Sequence, residues 1–156
     1  MIESFMINHD KLKPGLYISR IDEFGNSFVT TVDIRVFEPN KTMCAPKSAH
    51  TIEHILADYL RNKSGLKESV LYFGPMGCMT GFYLLLKGKW NSKEMVAPLK
   101  EAFTDCSKAT YIPGCSSIEC GNYLFHDDDL SYSKNVMKSY VDTLSSISSS
   151  QLYYPD

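Results

Sequence analysis

Across residues 48–62, Ile52, Ile55, Leu56, Tyr59 and Leu60 follow the spacing i, i+3, i+4, i+7, i+8. That pattern dictates a helix with one apolar stripe, opened by Pro46 and Ser48 and closed by Gly65. Its other side carries His50-Thr51-Ile52-Glu53-His54. Residues four apart lie one turn above each other, so both imidazoles can reach a single metal ion. At 3.6 residues per turn, Glu53 falls within about 60° of His50. Ala57, one turn further on, is small and leaves room beside the histidines. A helix divided in this way buries its stripe against other elements and turns two ligands and a carboxylate toward a cleft. Paired helical histidines can also be plain surface residues. Here ligand spacing, carboxylate and helix placement agree on metal binding.

The rest of the chain supplies the elements such a helix needs. Residues 16–21 and 28–37 read as strands joined by Asp22, Glu23, Gly25 and Asn26. In the second, Phe28, Thr30, Val32, Ile34 and Val36 share one face, and Asp33 and Arg35 take the other. Residues 70–73 and 81–87 read as strands around Gly74-Pro75-Met76-Gly77-Cys78. A second helix starts near Ser92, with Pro98 predicting a kink or a late start. A short strand is predicted at 122–125 and a third helix at 129–144, while 145–156 reads as a flexible tail. The predicted fold is α+β, an antiparallel-rich sheet packed against helices in a single domain over 1–156.

Charge and cysteine content narrow the function. The 156 residues carry 16 Lys and Arg against 18 Asp and Glu, a net charge of −2. That balance argues against a nucleic-acid binder. No apolar run is long enough to span a membrane, and the N-terminal residues do not read as a secretory signal, so the expected location is cytoplasmic. The cysteines at 44, 78, 106, 115 and 120 are odd in number, which speaks against a disulfide framework. Each is then a packing residue, a metal ligand or a nucleophile.

Two histidines leave a metal site incomplete. The third ligand could come from a cysteine, His126, His9 or a distant carboxylate. Cys120 is attractive because Gly121 lets the backbone turn and expose the sulfur. The H-x-x-E-H order also occurs in inverted zinc peptidases, which would need a downstream carboxylate such as Glu119 or Asp127. A non-catalytic metal-binding protein is a further reading, one that would tolerate loss of Glu53 or Cys78.

Five marker groups carry a resemblance to a known family. They are Glu3-Ser4-Phe5 with His9, Asp33-Ile34-Arg35 with Pro39-Asn40-Lys41, His50 to His54, Pro75-Met76-Gly77-Cys78 with Thr80-Gly81-Phe82-Tyr83, and Cys120-Gly121 with His126-Asp127. In this order the chain resembles the S-ribosylhomocysteine lyase (LuxS) family along nearly its whole length. The resemblance implies a divalent metal, Fe2+ first and Zn2+ or Co2+ as substitutes, held by His50, His54 and Cys120. It implies a homodimer with the active site at the interface, and Ser4, His9 and Arg35 as substrate contacts from the neighbouring subunit. Phe5, Tyr72 and Gly77 join them as expected substrate-binding residues.

The implied reaction converts S-ribosylhomocysteine to homocysteine and 4,5-dihydroxy-2,3-pentanedione, the precursor of the signalling molecule autoinducer-2. Cys78, as thiolate, is expected to shuttle protons while the carbonyl migrates from the first sugar carbon to the third. Glu53 is expected to take the proton from the fourth, and homocysteine leaves from the fifth. One departure stands out. Where the family usually reads Asp-Ile-Ser before Pro-Met-Gly-Cys, this chain has Tyr72, Phe73 and Gly74. The missing aspartate is expected to hold the amino group of homocysteine, so a different thioether or sugar substrate is an alternative. Cys44, Cys106 and Cys115 are left to packing.

Overall fold

A computed structural model describes residues 2–156. The predicted hairpin forms as β1 (Gly15–Phe24) and β2 (Ser27–Arg35). Helix α1 (Pro46–Asn62) follows, then β3 (Val70–Pro75) and β4 (Gly81–Lys87). The strands make one four-stranded sheet in the order β1-β2-β4-β3, antiparallel throughout. Helices α2 (Ser92–Cys106) and α3 (Ser131–Ser145) complete the fold.

The core forms where apolar alternation on the strands meets the helical stripes. Leu16, Val32, Ile34, Phe82, Leu84 and Leu86 project from one sheet face onto Ile52, Leu56, Leu60, Leu99, Phe103 and Met137. Thr30 tolerates burial among them because its hydroxyl donates to the Gly88 carbonyl at 2.7 Å and accepts from the Trp90 amide at 3.1 Å. This seam fixes the rotation of α1. With the stripe on the sheet, His50, Glu53 and His54 stay only partly buried.

Several expectations need correction. Helix α2 does start at Ser92 and runs through Pro98, so only the late start is overturned, because Asn91 and Glu94 form a capping box that sets its first turn. Helix α3 begins at Ser131, where the Asp129 carboxylate accepts from the Ser131 amide and that of Asp127 from the Ser133 amide. Residues 122–125 form a turn, not a strand, with the Phe125 amide bonded to the Asn122 carbonyl. Their apolar side chains face outward, Leu124 most of all, and pair with no sheet edge.

The segment 145–156, expected as a flexible tail, is docked. Gln151 donates to the Pro14 carbonyl, Leu152 joins the core and the Tyr154 ring stacks on Tyr17 at 4.9 Å. Tyr154 meets the second face of the sheet at Tyr17 and Asp33. Asp33 and Arg35 do occupy that face, yet are only 1% and 3% exposed.

Candidate functional site

The two histidines of α1 are oriented by backbone carbonyls. His50 Nδ1 donates to the Phe125 carbonyl and His54 Nδ1 to the Pro113 carbonyl, each at 2.7 Å. A carbonyl only accepts, so each ring presents Nδ1–H to its carbonyl and turns Nε2 inward. The two Nε2 atoms face each other at 3.1 Å. In neutral rings both carry lone pairs, and a cation between them would relieve their repulsion. Cys120 Sγ stands 3.6 Å from His50 Nε2 and 3.5 Å from His54 Nε2. Donors held by one tetrahedral ion at about 2.1 Å (nitrogen) and 2.3 Å (sulfur) are about 3.6 Å apart. The donor set therefore fits a borderline-soft divalent metal.

His126 joins this group, which makes four potential donors within 4.8 Å of one another. Its Nε2 is 3.7 Å from Cys120 Sγ, and its ring stacks on His50 at a centroid distance of 4.0 Å. Burial, with His50 and His54 alongside, pushes the imidazole down to about 4, so it is neutral at physiological pH. Its Nδ1 lies 3.1 Å from Thr51 Oγ1, which also accepts from the Asp127 amide at 2.8 Å. The 3-10 turn Ile118–Cys120 presents the sulfur, and Gly121 at φ 82° makes the left-handed exit that a side chain would resist. Glu53 is half-buried beside His54 and makes no side-chain hydrogen bond or ion pair to any described residue.

Cys78 lies in a different setting. The turn from Met76 to Met79 is closed by a 2.9 Å bond from the Met79 amide to the Met76 carbonyl, which leaves Cys78 exposed. Met79 holds φ 60°, anchored by the Cys44 amide on its carbonyl at 2.7 Å. Cys78 Sγ is 3.0 Å from Thr80 Oγ1 and 3.9 Å from an Arg35 guanidinium nitrogen, which itself donates to Thr80 Oγ1 at 2.7 Å. The other edge of the guanidinium grips Asp33 with bonds of 3.1 and 2.6 Å. Burial opposes the Arg35 charge, but Asp33 outweighs it and holds the guanidinium above its usual range. His9, Arg35, Lys41, Cys78 and Thr80 line a cavity of about 650 Å3 with residues 39–43 as its other wall.

The structure thus sorts the expected residues into two groups. His50, His54 and Cys120 come together with His126, which the resemblance left out of the ligand set. Cys78 comes together with Arg35 and His9, and none of the metal donors lines its cavity. Ser4 is partly buried and Phe5 exposed on the 3-10 turn Glu3–Phe5, and Gly77 is exposed in the Cys78 turn; none of the three lines the cavity. Tyr72 is 49% exposed and also stands outside the cavity lining. Its hydroxyl lies over Gly74, where an added Cβ would collide with it. A side chain at position 74 would have to turn the exposed Tyr72 ring aside.

Sequence reasoning did not give Thr80 a role, although its place two residues after Cys78 was a usable signal. The peptidase reading loses its carboxylates: Asp127 caps α3, and Glu119 is exposed and bonded to Ser117. Burial pushes the Cys44 thiol up to about 11 and that of Cys106 to about 12, as packing cysteines require.

Comparison with known proteins agrees with this geometry. A family model described as S-Ribosylhomocysteinase (LuxS) matches residues 2–151. An S-ribosylhomocysteine lyase from Finegoldia magna is 45% identical over 157 residues, spanning 99% of this chain and 98% of the relative. One from Desulfotalea psychrophila is 43% identical, and one from Borreliella burgdorferi 44%, with the same coverage of both chains. The metal-donor cluster and the thiol cavity are thus features of a chain that belongs to the S-ribosylhomocysteinase (LuxS) family.

Proposed function

We propose that this chain is an S-ribosylhomocysteine lyase, which cleaves the thioether of S-ribosylhomocysteine to homocysteine and 4,5-dihydroxy-2,3-pentanedione. Within this family, the observation that carries the reading is the convergence of His50 Nε2 and His54 Nε2 at 3.1 Å, closed by the Cys120 sulfur. A divalent ion held there, Fe2+ by preference with Zn2+ or Co2+ as substitutes, would supply Lewis acidity that makes the C–H groups beside the sugar carbonyl acidic.

The protein's own groups then move protons. Cys78, as thiolate, takes a proton from one sugar carbon and returns it to the next, so that the carbonyl passes from the first carbon to the third. Arg35 and Thr80 are in contact with the sulfur and hold it in place. Glu53, with no partner of its own among the described residues, takes the proton from the fourth carbon. The electron pair of that C–H bond forms a double bond to the fifth carbon as its bond to sulfur breaks. Homocysteine leaves as the thiolate. Ser4, Phe5, His9, Arg35, Gly77 and Tyr72 are assigned to substrate contacts.

A second copy of the chain completes the site in this reading. Cys78 shares its cavity with His9 and Arg35, the residues expected to reach in from a neighbour, so the thiol travels with them. Ile118 and Leu124 around the metal donors are exposed, as are Phe5, Met6 and Met43 on the other half, and such apolar rims suit a homodimer interface. All five cysteines are free, and the chemistry needs two of them reduced, which favours a reducing compartment such as the cytoplasm. No helix among the described residues is long and apolar enough to cross a membrane.

The test is thiol release from S-ribosylhomocysteine, run anaerobically on iron- or cobalt-loaded protein. Homocysteine should accumulate in step with substrate loss. Metal-loaded protein that releases none would sink the assignment.

A further inference from the structure

The contacts behind Cys78 do not end at Arg35. Asp33 Oδ2, which accepts from Arg35 at 2.6 Å, also accepts from the Tyr154 hydroxyl at 2.7 Å. Tyr154 lies past residue 151, where the match to the family ends. It is nonetheless held firmly: its ring lies on Tyr17 with only 10° between the planes, and the core residue Leu152 and the Gln151 bond to Pro14 anchor the chain just before it. Burial and the Asp33 charge raise the tyrosine well above its ordinary range, so it remains a donor under all working conditions.

We propose that Tyr154 is a positioning residue for Cys78, acting through the Asp33 carboxylate on the Arg35 guanidinium. The hydroxyl does not line the thiol cavity, so it touches neither the sulfur nor a substrate there. It draws off part of the Asp33 charge and fixes the carboxylate's rotation. Without it, Asp33 neutralises Arg35 more completely, and the positive field at the sulfur weakens. The remaining groups around Cys78 are Thr80 in contact, His9 and Lys41 across the cavity, and Tyr83 on the neighbouring strand. None of them bonds to Tyr154.

This inference rests on reading Cys78 as a reactive thiol, but its test does not need lyase activity. Full-length protein is alkylated with iodoacetamide across a pH series, and the Cys78-containing peptide is quantified by mass spectrometry. Tyr154→Phe keeps the ring stack and removes the hydroxyl, with its bond to Asp33 and its contact with Ser19. It should move the Cys78 alkylation profile about half a pH unit upward, roughly a threefold loss of thiolate at neutral pH. Tyr153→Phe, at the exposed neighbouring residue, should leave the profile in place. In the lyase assay Tyr154→Phe should lower kcat by a similar factor. A Tyr154→Phe profile that superimposes on wild type, or an equal shift from Tyr153→Phe, overturns the proposal. Wild-type protein that releases no homocysteine while the alkylation shift persists overturns the lyase reading alone.

Discussion

The two halves of the site are held together by opposite means. Around Cys78 the polar groups are paired within the chain: Asp33 takes three hydrogen bonds, and Arg35 divides its donors between Asp33, Thr80 and the sulfur. Around His50 and His54 the orienting bonds run to backbone carbonyls, and the free lone pairs converge on one another. The first half is fully paired without a bound ion. In the second, four donors converge where a cation could sit. In the proposed reading, one chain builds a proton-transfer half from its own hydrogen bonds and leaves the electrophilic half to be completed by metal.

This contrast predicts how each half fails. The largest effect belongs to the metal half: Cys120→Ala should lose most of the bound metal by elemental analysis, with lyase activity down at least about a hundredfold. Cys78→Ala should lose comparable activity while keeping full metal stoichiometry. Equal metal retention in both variants would erase the distinction.

Next in size is stability. Asp33→Ala strands the buried Arg35 charge and should cost about 3–5 kcal/mol in chemical denaturation. Cys120→Ala in metal-free protein should cost under about 1 kcal/mol, because the sulfur is partly exposed and its loss leaves no buried ion. A smaller cost for Asp33→Ala than for Cys120→Ala would reverse the comparison.

The smallest effect concerns Tyr72 and Gly74 on β3. Gly74→Ser should cost under about 1 kcal/mol, because the exposed Tyr72 ring can turn away from the added Cβ. Tyr72→Asp alone should tighten S-ribosylhomocysteine binding several-fold by giving the ammonium a carboxylate. Unchanged or weaker affinity, measured as KM and by competitive product inhibition, would mean that this end of the substrate is held elsewhere.

The sequence disclosed most where a local period coincided with a burial boundary. The stripe of α1 placed Ile52, Leu56 and Leu60 in the core and, by the same rotation, left His50, Glu53 and His54 at the surface. Burial of Asp33 was not legible, because it is met by Tyr154, which lies 121 positions away along the chain. Residues 122–125 misled for a related reason. Their apolar run resembles a strand, but its backbone serves α1 through the Phe125 carbonyl while the side chains face outward. His126 was within reach as a candidate ligand, but its place beside Cys120 and His50 depends on a turn that the sequence pattern does not show.

The central claim is that the thiol half of one chain works with the metal half of another. Cys78→Ala and Glu53→Gln protein, each inactive alone, can be mixed, dissociated and reassembled. Random pairing gives mixed dimers in which one site has both residues intact, and homocysteine release should recover to about a quarter of the wild-type rate. Mixtures that stay inactive after verified subunit exchange would place both halves in one chain and contradict the account.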